Sequence, residues 1–219
     1  MLSETTPRYT AREELANCLT HGCGVVLSLG GAVALLLSAR ASAAPHALTS
    51  CAIYALTLVL LYVASTLYHS RAWPDAKALL QTLDHIAIFL LIAGTYTPFV
   101  LITLQGPWGW SLFGITWALA LLGVIFELTS LRRFRRVQIA LYIAMGWIGL
   151  VAIGPLVAAL PSAGLWLLFG GGAVYTLGVV FYRMRGLRYH HALWHLFVLG
   201  GSVLQYFAVL RYVLPGASR

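Results

Sequence analysis

His191 and His195 stand four residues apart in the run His190-His191-Ala192-Leu193-Trp194-His195, at the start of the last apolar stretch of the chain. On a helix that spacing places two imidazoles on one face, one turn apart. Imidazole pairs of this kind are common metal ligands. The residues that follow are Leu, Phe, Val and Gly, an environment in which a polar group is costly to bury. A metal site would need a third ligand at the same depth, so the elements that set depth decide the matter.

Of the 219 residues, 60% are hydrophobic and 9% charged. A soluble domain carries about 25% charged residues, so the composition predicts an all-α integral membrane protein. The net charge of +8 falls in short clusters between apolar runs. That pattern orients a membrane protein; it does not build a nucleic-acid surface. A bilayer core about 30 Å thick takes about 20 helical residues. Seven segments fit, at roughly 19–39, 48–69, 82–104, 108–128, 138–159, 163–182 and 191–213. Gly109, Trp110 and Pro155 interrupt the fourth and fifth, and Pro98 should bend the third. The expected organisation is a short N-terminal segment, 1–18, with room for an interfacial helix, and one seven-helix domain, 19–214. Short connections make consecutive helices antiparallel neighbours. The polar residues before the first apolar run argue against a cleavable signal peptide.

Eleven of the 14 Lys and Arg fall on one side: Arg8, Arg12, Arg71, Lys77, Arg132, Arg133, Arg135, Arg136, Arg183, Arg185 and Arg188. Only Arg40, Arg211 and Arg219 fall on the other. The positive-inside rule puts the N-terminus in the cytoplasm and the C-terminus outside, as for a multi-pass protein of the cell (inner, plasma) membrane. Trp73, Trp108, Trp110 and Trp166 near segment ends suit interfacial anchors. Gly170-Gly171-Gly172 and Gly200-Gly201 suit close helix contacts. Cys18, Cys23 and Cys51 form no CxxC motif and read as small buried hydrophobes.

This orientation brings polar residues to one leaflet. Ser65 and His69 lie at the cytoplasmic end of the second helix, Asp84 at that of the third, and His191 and His195 at that of the seventh. Three neutral imidazoles with an open position describe a catalytic zinc site, in which zinc lowers the pKa of water to about 7. Asp84 would accept and return a proton, and Ser65 would orient the water or a ligand carbonyl. An Asp at membrane depth costs about 2.5–3.5 kcal/mol on insertion scales, which contact with the site would offset. The alternatives are Asp84 as the ion-pair partner of Lys77 or Arg71, and Ser65 bonded to its own helix backbone. His85 points about 100° from Asp84 on a 3.6-residue helix and reads as supporting or interfacial. His190 lies off the His191/His195 face and is expected to be solvated. His21 starts the first helix on the same side. Glu127 would pair with the Arg132–Arg136 cluster, and His46 lies at the opposite end.

Four of these stretches together resemble a known family. The run Glu13-Glu14-Leu15-Ala16-Asn17-Cys18-Leu19-Thr20-His21-Gly22 looks like the N-terminal signature of bacterial hemolysin III proteins, which group with the progestin and adipoQ receptors. Ser65-Thr66-Leu67-Tyr68-His69, Leu83-Asp84-His85-Ile86-Ala87-Ile88-Phe89 with Ala93-Gly94-Thr95-Tyr96-Thr97-Pro98, and His191-Ala192-Leu193-Trp194-His195 resemble its other motifs. The resemblance implies a seven-helix bundle with zinc on His69, His191 and His195, and with Asp84 and Ser65 beside it. It also implies similarity to alkaline ceramidases. The leading expectation is therefore a zinc-dependent hydrolase acting on a membrane lipid amide or ester. The rivals are a zinc-braced receptor or sensor, and a cytolysin that permeabilises membranes.

Overall fold

The computed structural model describes residues 9–70 and 72–216. Arg8, Arg71 and Arg219, used above for orientation, lie outside the described residues, as does the stretch 1–8. Seven helices are long and apolar enough to cross a membrane: α1 (Ala11–Ala41), α2 (Ala47–His69), α3 (Lys77–Leu104), α4 (Gly106–Leu128), α5 (Arg135–Ala159), α6 (Ser162–Arg183) and α7 (His190–Val213). No strand occurs among the described residues. The protein is a multi-pass, all-α membrane protein.

Local chemistry sets the helix limits. α1 begins at Ala11, well before the apolar run, because Thr10 and Glu13 form a capping box. The Glu13 N–H donates to Thr10 Oγ1 at 3.3 Å, and Glu13 Oε2 accepts from the Thr10 N–H at 2.9 Å. The first polar turns therefore continue directly into the membrane span. Pro98 donates no backbone hydrogen bond, and the chain widens from there into a π-helical turn over Phe99–Leu104. In α5, a 3₁₀ stretch at Ile148–Ala152 separates two α-helical pieces. Pro155 sits in the first turn of the second piece, where a missing N–H does little harm. The Tyr96 hydroxyl of α3 bridges this break. It donates to Gly146 O at 2.7 Å and accepts from the Gly149 N–H at 3.1 Å.

α1 packs on α2 and α7, α2 on α3, α3 on α4, and α6 on α7; α5 touches its neighbours sparsely. The largest core cluster lies among α1, α2, α3 and α7, around Leu35, Tyr54, Tyr62, Phe99 and Val209. Outward faces carry exposed Leu, Val and Ile, such as Val26, Leu56, Leu121 and Val180, as lipid contact demands. The buried residues of α6 are Gly164, Gly171 and Gly178, seven apart. They admit Tyr212, Gln205 and Trp194 of the last helical segment to within van der Waals contact of the α6 backbone.

Candidate metal centre

His69 is the last residue of α2, and His191 and His195 occupy the first turns of α7. The two segments meet at one end of the bundle, and one nitrogen from each of the three rings lies within 4.8 Å of the others. All three side chains are buried. His69 Nε2 and His191 Nε2 are 3.1 Å apart.

The partners of the outer nitrogens settle the tautomers of two rings. His69 Nδ1 lies 2.6 Å from Glu14 Oε2. Asn17 Nδ2 lies 3.4 Å from the same nitrogen, but the carboxylate is far closer and only accepts, so Nδ1–H donates and, in the neutral ring, Nε2 keeps its lone pair. His195 Nδ1 lies 3.1 Å from the carbonyl oxygen of Asn17 and 3.1 Å from Thr20 Oγ1. The carbonyl fixes Nδ1 as the donor there too. The Thr20 hydroxyl is itself held by the Ala16 and Asn17 carbonyls, each at 2.9 Å. Two lone pairs therefore face the interior of the cluster, the arrangement that carboxylate and carbonyl partners impose on metal-binding histidines.

The closest of the three spacings fits a metal. Two nitrogens bound tetrahedrally at 2.0–2.1 Å to one zinc are about 3.3 Å apart, close to the 3.1 Å between His69 and His191. The other nitrogen of His191, Nδ1, is buried without a hydrogen-bond partner among the described residues, which leaves Nε2 as its inward-facing atom. The donor set therefore suits a divalent ion that accepts three imidazoles, and the cluster could hold one.

Asp84 and Ser65 reach the same place from α3 and α2. Both line a cavity of about 160 Å³ with His191 and His195, and its walls are mostly apolar, including Ile88, Leu91, Ile143, Leu168 and Val179. Among the described residues no cation pairs with Asp84. Lys77, the alternative partner weighed from sequence, instead pairs with Glu14 Oε1 at 2.9 Å and donates to the Tyr68 carbonyl. The Ser65 hydroxyl is buried, bonds to nothing on its own helix, and has the Asp84 carboxylate as its polar neighbour. Two polar groups thus face an apolar cavity beside the histidines.

The remaining histidines divide. His21 is 3% exposed and stacks on His195 with ring centroids 3.5 Å apart and planes 12° apart. Among the described residues, both of its ring nitrogens lack partners. His85 meets Glu127 Oε1 at 3.0 Å and Arg135 at 2.9 Å. Glu127 also accepts from Gln138 Nε2 at 2.6 Å, and Arg135 lies 3.6 Å from its other oxygen. The expected pairing of Glu127 with the basic cluster is present, through Arg135. His46 lies at the far end of α2, against Trp110. His190 departs from expectation: it is buried, not solvated, because the Tyr9 ring packs 5.9 Å from it and 5.1 Å from His191. Burial pushes the Tyr9 phenol well above its usual pKa, so it covers the cluster as a neutral ring.

Sequence reasoning took Glu14, Asn17 and Thr20 only as part of the N-terminal motif, with no role for any of them, and did not single out Tyr9. A signal for the first two was available. Glu14, Asn17, His21, Gly24 and Ser28 recur at i, i+3, i+7, i+10 and i+14, a stripe of polar or small residues along one face of an otherwise apolar helix.

Fold and site together define a class: a seven-helix membrane protein with a buried three-histidine cluster at one end of the bundle. The chain belongs to the Haemolysin-III related family, whose match covers residues 9–206. It is 46% identical over 219 residues to Hemolysin-3 of Bacillus cereus, covering 99% of this chain and 100% of that protein. It is 44% identical over 204 residues to the Hemolysin-3 homolog of Bacillus subtilis (strain 168), covering 93% and 96%. More distantly, it is 29% identical over 212 residues to the human Monocyte to macrophage differentiation factor, covering 93% and 86%.

Proposed function

We propose that the protein is a zinc-dependent hydrolase of a lipid amide or ester in the plasma membrane, with its N-terminus and histidine cluster on the cytoplasmic side. The orientation is supported by the basic residues, eleven of 14 on one side. His69, His191 and His195 would hold the ion. Zinc, when bound, supplies the Lewis acidity that makes water a nucleophile near neutral pH.

The chain's own groups do the rest. Asp84 takes the proton of the attacking water and returns it to the leaving amine or alcohol. Ser65, which bonds to nothing on its own helix and neighbours the Asp84 carboxylate, donates to the substrate carbonyl. Ile88, Leu91, Leu168 and Val179 receive the acyl chain and exclude bulk water. The sparse packing between α5 and α6 supports lateral entry from the bilayer.

The observation that carries this reading is the placement of Ser65, Asp84, His191 and His195 around one cavity with apolar walls. The test is to purify the protein in detergent, load zinc, and assay long-chain lipid amides and esters with wild type and Asp84→Asn. Hydrolysis by wild type, lost in Asp84→Asn at unchanged zinc content, supports the proposal. Retained zinc with no turnover of either lipid class counts against it.

One observation favours a metal that only braces the bundle: Glu14, His69, His191 and His195 link α1, α2 and α7 at a single point. On that reading His69→Ala lowers thermal stability, Asp84→Asn does not, and wild type turns nothing over.

A further inference from the structure

α1 supplies none of the three imidazoles of the cluster, yet its groups meet the outer nitrogens of two of them. Glu14 is the charged member of this set. One carboxylate oxygen takes the His69 Nδ1–H at 2.6 Å, and the other takes Lys77 Nζ at 2.9 Å. Lys77 in turn donates to the carbonyl of Tyr68, next to His69. The carboxylate is therefore fixed from both sides, and its side chain is only 14% exposed. Charge-assisted hydrogen bonds of this kind are short and directional.

We infer that Glu14 is a positioning residue for the metal: it holds His69 as the Nδ1–H tautomer, aims the Nε2 lone pair into the cluster and raises its basicity. The helix that donates no ligand thereby sets the affinity of the site. The inference rests on the proposed reading that the three histidines bind zinc. Glu13, one residue earlier, provides an internal contrast. It carries the same charge on the same turn, but its partners are Thr10 and the Tyr189 N–H, and it meets none of the three histidines.

Loss of such an outer partner typically weakens metal binding 10–100-fold. Zinc affinity is measured on the full chain in detergent by competition with a chromophoric chelator, for wild type, Glu14→Gln and Glu13→Gln. The expected result is a 10–100-fold loss in Glu14→Gln and no change in Glu13→Gln. The apo melting temperature reports whether each variant folds. An unchanged affinity in folded Glu14→Gln, or equal losses in both variants, overturns the inference and leaves the zinc reading intact. Wild type that binds no zinc overturns both. ¹⁵N NMR of histidine-labelled apo wild type supplies a readout that no variant can confound. His69 protonated on Nδ1 supports the inference, and His69 protonated on Nε2 overturns it.

Discussion

Replacing His21 by Phe should stabilise the protein, an uncommon result for a buried polar residue. His21 is 3% exposed, and among the described residues neither ring nitrogen has a hydrogen-bond partner. What holds the ring is its shape: it stacks on His195 at 3.5 Å and meets Tyr62 edge-on at 5.1 Å. A phenyl ring keeps both contacts and removes the unpaired donor and acceptor. An unsatisfied buried polar group costs about 1–3 kcal/mol. The slightly larger ring gives back about 1 kcal/mol through tighter packing. The net gain is about 1 kcal/mol, which for a chain of this size raises the melting temperature by about 2–4 °C. Thermal unfolding in detergent, followed by intrinsic fluorescence, measures it, with zinc content as a control on the neighbouring site. A fall of several degrees at unchanged zinc content would mean that the His21 nitrogens have a partner, and would refute the reasoning.

Two further outcomes follow from geometry. In Gly171→Ala the new Cβ would lie 2.6 Å from Gln205 Cγ and 3.0 Å from the backbone oxygen of Gly201. That should destabilise by about 1–3 kcal/mol, whereas Gly114→Ala, with nothing within 4 Å, should be neutral or gain about 0.5–1 kcal/mol; thermal melts of the two compare them directly. Stripping metal with a chelator should lower the melting temperature of wild type but not of His191→Ala. If free zinc stands at 100 times its dissociation constant, the difference corresponds to about 2.7 kcal/mol.

The spans could be read from hydropathy because a bilayer imposes one length on every helix; six of the seven begin and end within about five residues of where the pattern places them. α1 is the exception, since its start depends on the Thr10–Glu13 box rather than on hydropathy. The meeting of His69 with His191 and His195 was also within reach, because charge bias fixed the ends of the helices and so the depth of each side chain. What spacing could not supply is the state of each ring. The partner of His69 Nδ1 is 55 residues away in sequence and that of His195 Nδ1 is 178 away. For the same reason His190 reads as solvated from its own helix and is buried by Tyr9 from another segment. The stripe from Glu14 to Ser28 is the face of α1 that meets the histidines, through Glu14 and Asn17.

The central claim is that His69, His191 and His195 bind a metal ion, and metal analysis of purified protein tests it most directly. Elemental analysis after purification without chelators should find one zinc per chain in wild type and essentially none in His191→Ala. Wild type without metal, or His191→Ala carrying as much as wild type, would contradict the account.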